Sequence, residues 1–211
     1  MVSSRLPVRL AIVVALAALV AGCERSTSEP QSQSEQKQRQ VEQDGTEHGA
    51  TGESAMTLTI ESPAFALNTK MPQRFTGDGG DASPALIWSR VPENAKELAL
   101  ICDDPDAPTP QPWVHWVIYK IPPTAKGLPE NVAKTESPPE PAGAMQGTNS
   151  WGRFGYGGPA PPRGPVHHYH FKLYALDAPL DLSPGRDKKH LLAAMEGHIL
   201  AQGELVGTYQ R

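Results

Sequence analysis

Three residues of this 211-residue chain set reactive side chains among apolar neighbours: Asp104, His115 and His167. Asp104 closes the run ELALICDD (97–104), His115 lies in WVHWVIYKI (113–121), and His167 opens HHYHFKLYALD (167–177). In an extended segment, residues i and i+2 face the same way. Leu98, Leu100, Cys102 and Asp104 then form one row that is apolar until it ends in a carboxylate. Trp113, His115, Val117 and Tyr119 form a second row, and His167, Tyr169, Phe171, Leu173 and Ala175 a third. Buried polar groups need partners. If the three segments are neighbouring strands, the carboxylate and both imidazoles meet at one end of the core and line a pocket. Such a trio suits a binding site, or an acid–base site in a hydrolase that uses Asp104, His115 and His167. Ser150 is the nucleophile the second reading would need, but the chain has no G-x-S-x-G elbow. His168 and His170 take the opposite parity, beside Lys172, and are expected outside the pocket. No cysteine or carboxylate follows them at ligand spacing, so no metal site is expected there, and no cofactor.

The elements that must position these residues are strands. The three runs are rich in β-branched and aromatic residues, and MTLTIES (56–62) and the closing GELVGTYQ read the same way. Of the 22 prolines, 14 lie between residues 105 and 165, which excludes long helices there and demands extended loops. One segment has helical spacing, Arg186 to Leu200, through Leu191, Leu192, Met195 and Ile199, with capping signals in DLSP (181–184). Several strands, stiff loops and one late helix predict a mainly β, two-sheet sandwich-like fold. Cys102 lies on an apolar row and is expected to be buried and inert. The loop GTNSWGRFGYGGPAPPRGP (147–165) holds six glycines and four prolines, and is expected to form a pocket rim rather than a phosphate-binding P-loop.

The first 55 residues read differently. Arg5 and Arg9 precede an apolar run of 11 residues, Leu10 to Val20, too short to cross a bilayer and suited to a signal peptide over residues 1–22. Val20-Ala21-Gly22-Cys23 resembles the lipobox of bacterial lipoproteins, which implies an acylated Cys23 and a place in the bacterial cell envelope, facing the periplasm or the cell surface. Residues 24–55 hold six glutamines, seven acidic and three basic residues, and only Val41, Ala50 and Ala55 as hydrophobic ones. That composition cannot offset its ordering entropy, so 23–55 is expected to be a disordered tether and 56–211 the folded domain. The net charge of −4 and the lack of a basic run give no sign of nucleic-acid binding.

DPDAP (104–108), WVHW (113–116), GYGGPAPPRG and HHYHF, in that order, resemble the phosphatidylethanolamine-binding protein family, in its bacterial Raf-kinase-inhibitor-like branch. The resemblance spans about residues 57–211. It implies a two-sheet antiparallel β fold and a pocket for phosphate, acetate or a phospholipid headgroup. It also implies a kinase- or protease-inhibitor-like action on a partner protein. By motif, Asp104 is the pocket aspartate, Trp113 and His115 the wall, Pro161 and Pro162 the rim, and His167 and Tyr169 the far side. The family's Gly-x-His-Arg reads Pro165-Val166-His167-His168 here, so the arginine is missing. Imidazoles donate hydrogen bonds to an anion, and a neighbouring carboxylate favours their charged form. Asp104 is therefore expected to orient or charge a histidine rather than touch the anion.

Overall fold

The computed structural model describes residues 56–211; the expectations for the signal peptide, Cys23 and the tether fall on residues outside these. In chain order the elements are β1 (Met56–Thr57), β2 (Thr59–Glu61), β3 (Thr69–Lys70), β4 (Leu86–Ser89), β5 (Glu97–Asp104), β6 (Trp113–Ile121), β7 (Gly127–Leu128), β8 (Met145–Gln146), β9 (His167–Leu176), α1 (Lys188–Met195) and β10 (Ile199–Tyr209). The larger sheet runs β1-β10-β9-β5-β6-β8, with β3 also pairing β10; the smaller runs β2-β4-β7. The long pairings are antiparallel, while the two-residue strands β1 and β3 join β10 in parallel.

Every residue of β5 is buried, because the central strand is covered on both faces. On one face Leu98, Leu100 and Cys102 join Trp116, Ile118, Phe171 and Leu173, packed on Ile60, Leu86, Trp88 and Leu128 of the smaller sheet. On the other, Ala99, Ile101, Val117 and Tyr119 meet Leu180 and the α1 residues Leu191 and Met195. Cys102 is buried with no disulfide, and burial pushes its thiol pKa well up, so it stays a protonated, apolar-facing group.

Two expectations about the elements are corrected. MTLTIES is not one strand: it breaks at Leu58, whose N–H donates to the Gln202 carbonyl at 2.9 Å, and its halves serve different sheets. The helix is eight residues long rather than spanning Arg186 to Leu200. Asp187, not the DLSP segment, caps it by accepting from the His190 N–H at 3.0 Å. Gly197, at φ 79°, ends it. Ile199 opens β10 opposite Leu176, so pairing with β9 overrides the helical spacing of this residue.

Asp103 faces the α1 side and is fully buried, yet its carboxylate is not alone. Lys172 Nζ of β9 reaches Oδ1 at 3.0 Å, and Lys188 Nζ of α1 binds Oδ2. One buried charge thus ties the helix and a neighbouring strand to the central strand.

Candidate functional site

β5 and β9 pair with Cys102 opposite Phe171 and Asp103 opposite His170, which brings Asp104 to the end of the ladder where His167 begins β9. β6 completes the trio by an irregularity. Cys102 opposes Trp116 and Asp103 opposes Val114, so His115 is an extra residue in the ladder, a β-bulge. The row expected for His115 is corrected accordingly. A regular strand would send it with Val117 and Tyr119 to the α1 side. The bulge returns His115 and Trp113 to the face of Asp104.

Gly157 holds the bulge. Its N–H donates to the His115 carbonyl at 2.9 Å, and its own carbonyl accepts from His115 Nδ1–H at 2.6 Å. The glycine is needed there, since a Cβ would lie 2.5 Å from Cζ3 of Trp151. The loop carrying Gly157 is pinned in turn. Gly158 N–H donates to Asp81 Oδ1 at 2.6 Å, Tyr156 O–H to the Phe75 carbonyl at 2.8 Å, and Asn149 Nδ2 to the Gly155 carbonyl at 3.0 Å.

The result is a cavity of about 230 Å³. Asp104, Trp113, His115, Pro161, Pro162, His167 and Tyr169, the seven residues named from the sequence, all line it. So do Ala107, Pro108 and Thr109 of the proline-rich loop, Ala160, and Trp151, which no strand pattern pointed to. Trp151 stands edge-on to Trp113 (centroids 5.4 Å apart) and to His115 (5.1 Å), closing the wall between them. The signal for it was a tryptophan in a glycine-rich loop, where a large ring needs neighbours without side chains.

The polar atoms are specifically arranged. Asp104 Oδ2 accepts from His167 Nδ1–H at 2.8 Å, and Oδ1 from the Asp106 N–H at 2.9 Å. The carboxylate is thereby occupied, and His167 keeps only Nε2 for a ligand. Asp104 orients His167 and does not charge His115: burial pushes the His115 pKa down, against the hydrogen bond to Gly157 and the field of Asp104, so the ring is neutral at pH 7. Tyr169 is buried, lies edge-on to His115 with centroids 5.0 Å apart, and its hydroxyl meets no hydrogen-bond partner among the described residues. Burial pushes the Tyr169 pKa far up, so this hydroxyl keeps its proton.

The other histidines are outside. Asp106 Oδ2 accepts from both the N–H (2.8 Å) and Nδ1–H (2.7 Å) of His168. Burial would raise the Asp106 pKa, but these bonds outweigh it and hold the carboxyl below its usual range. In the place of the missing arginine, then, His168 fastens the proline-rich loop from the solvent side. His170 pairs Glu204 at 2.8 Å on the outer face of the sheet. Among the described residues no cluster of ligands suited to a metal ion occurs. Ser150 does not line the cavity: its Oγ accepts from the Val114 N–H at 2.8 Å, and it borders a separate groove beside α1.

A two-sheet β domain with a small cavity lined by Asp104, His115, His167 and Tyr169 fits a small-ligand-binding domain. The chain belongs to the phosphatidylethanolamine-binding protein family, whose model matches residues 61–210. It is 51% identical over 154 residues to a UPF0098 protein of Methanothermobacter thermautotrophicus, covering 73% of this chain and 99% of that one. Among solved structures it is similar to a phosphatidylethanolamine-binding protein homolog of Chlamydia trachomatis, with TM-score 0.67 and 38% identity over 74% of this chain and 99% of the other. It is also similar to Escherichia coli YbcL, described as a member of the mammalian PEBP family. That match has TM-score 0.68 and 31% identity over 73% and 98% of the two chains.

Proposed function

We propose that this chain is a non-catalytic binding module. Its cavity holds a small anion such as phosphate, a carboxylate or a phospholipid headgroup, and an acylated Cys23 tethers it to the bacterial cell envelope. The observation that carries the pocket reading is the convergence of Asp104, His115, His167 and Tyr169 on one cavity, with the Tyr169 hydroxyl buried and without a hydrogen-bond partner among the described residues. A buried donor left unpaired costs stability, and an anion oxygen would satisfy it. The proline-stiffened loop and the pinned glycine loop hold the walls in place, which lowers the ordering cost of binding.

Phosphate and acetate titrated into the full chain should change the fluorescence of Trp113 and Trp151 saturably. Losing a hydrogen bond to a charged ligand costs about 1.5–3 kcal/mol, so His167→Ala should weaken binding roughly 10- to 150-fold. His168→Ala, outside the cavity, should bind nearly as the parent does. Equal affinity in His167→Ala and the parent would remove the pocket from the reading. The anchor is tested separately. Labelled fatty acid should enter the wild type and not Cys23→Ser, and equal labelling of both would sink it.

A further inference from the structure

The polar atoms around the cavity are not all donors. A carbonyl can only accept, so the 2.6 Å contact between His115 Nδ1 and the Gly157 oxygen places the ring's proton on Nδ1. Gly157 also grips the His115 carbonyl, so ring and backbone are held together and the ring cannot turn over without losing its partner. Edge contacts from Trp151 and Tyr169 fix its plane. Nε2 of His115 is then a lone pair, and it makes no hydrogen bond among the described residues. Burial at 3% exposure, which disfavours a second proton, keeps it so. Tyr169, whose ring stands edge-on to His115 with centroids 5.0 Å apart, carries a hydroxyl donor with no partner among the described residues.

A cavity wall that offers an acceptor does not suit a bare anion. An anion oxygen set against the His115 lone pair would face repulsion, with no proton to share. We propose that the cavity selects a phosphate that carries its own hydrogen, inorganic phosphate or a singly protonated monoester, with His115 Nε2 accepting from the P–OH. Tyr169 donates to an unprotonated oxygen of the same group. His115 is thus a specificity residue, and its bulge and its clamp by Gly157 serve to hold an acceptor rather than a cation. This rests on the anion reading of the pocket and narrows it.

Hydrogen phosphate and sulfate are matched in shape and charge near pH 7.5 and differ in one hydrogen. The full chain should therefore be titrated at that pH and constant ionic strength with phosphate, sulfate and dimethyl phosphate. The last is the diester of a lipid headgroup without its amine, and it has no P–OH. Exchanging a hydrogen bond for facing lone pairs is expected to make sulfate and dimethyl phosphate bind roughly 10-fold or more weakly than phosphate. In His115→Phe, which keeps a ring and removes the acceptor, phosphate should lose that advantage and the phosphate-to-sulfate ratio should fall toward one. The wild-type ratio decides the matter even if the variant folds poorly. Sulfate binding as tightly as phosphate would overturn the acceptor role while leaving an anion pocket. Dimethyl phosphate binding as tightly as phosphate would do the same, and would point to a lipid diester. Binding of none of the three would overturn the anion reading, and this inference with it.

Discussion

Tyr169→Phe is expected to make the protein more stable in phosphate-free buffer and a poorer binder. The hydroxyl is buried with no hydrogen-bond partner among the described residues, which costs on the order of 1–3 kcal/mol. Phenylalanine keeps the ring, its packing on His115 and its place in the core, and discards the orphaned group. For a domain of this size each kcal/mol shifts the midpoint of thermal unfolding by about 2–4 °C, so a rise of several degrees is expected. With phosphate present the order should reverse. The parent gains the stabilisation of its bound ligand, while the variant, short of a donor worth about 1.5–3 kcal/mol, gains much less. Thermal unfolding of both proteins across a phosphate series measures the two effects together. A variant that melts lower without phosphate would show that the hydroxyl holds the fold and not a ligand.

The largest loss of stability should come from the lysines around Asp103. Its carboxylate is 1% exposed, whereas Lys172 and Lys188 are 35% and 22% exposed in their side chains. The lysines can turn toward water if the aspartate is removed; the aspartate cannot if they are. Lys172→Met with Lys188→Met strands a buried charge and should destabilise the domain by about 3–5 kcal/mol, on the order of 10 °C in unfolding temperature. Asp103→Leu should cost much less. Adding Asp103→Leu to the double variant should restore most of its loss, because an apolar replacement of a buried ion pair is often neutral. A triple variant as unstable as the double one would mean that the lysines act through packing alone.

The strands could be read in the sequence because their composition and alternation agree with where they sit. The rows Leu98-Leu100-Cys102 and Tyr169-Phe171-Leu173 face the core that parity gave them. The rest depended on contacts between distant segments. Nothing near residue 115 announces a bulge, since its cause is Gly157, 42 residues along. Simple alternation put His115 beside Asp104 for the wrong reason, in a row with Val117 and Tyr119 that packs on the opposite face. Its neutral state was not legible either, because a neighbouring carboxylate is visible in a motif and the depth of burial is not. The helix ran too long in the reading because Ile199 fits a helical face as well as a strand. Trp151 was missed as a wall because loop residues follow no period, although the rim that carries it was recognised.

The unpaired position of His115 gives the pocket an independence from the sheet that ordinary strand residues lack. Removing any paired residue of β6 would slide one part of the strand past its partner and turn side chains from one face to the other. Removing residue 115 itself would not. Cys102 would still oppose Trp116, Asp103 would still oppose Val114, Asp104 would still oppose Trp113, and the ladder would run unbroken from Leu100 to Asp104. The imidazole is thus a single-residue insertion into a complete strand, one that a three-nucleotide change adds or deletes with every core side chain keeping its face.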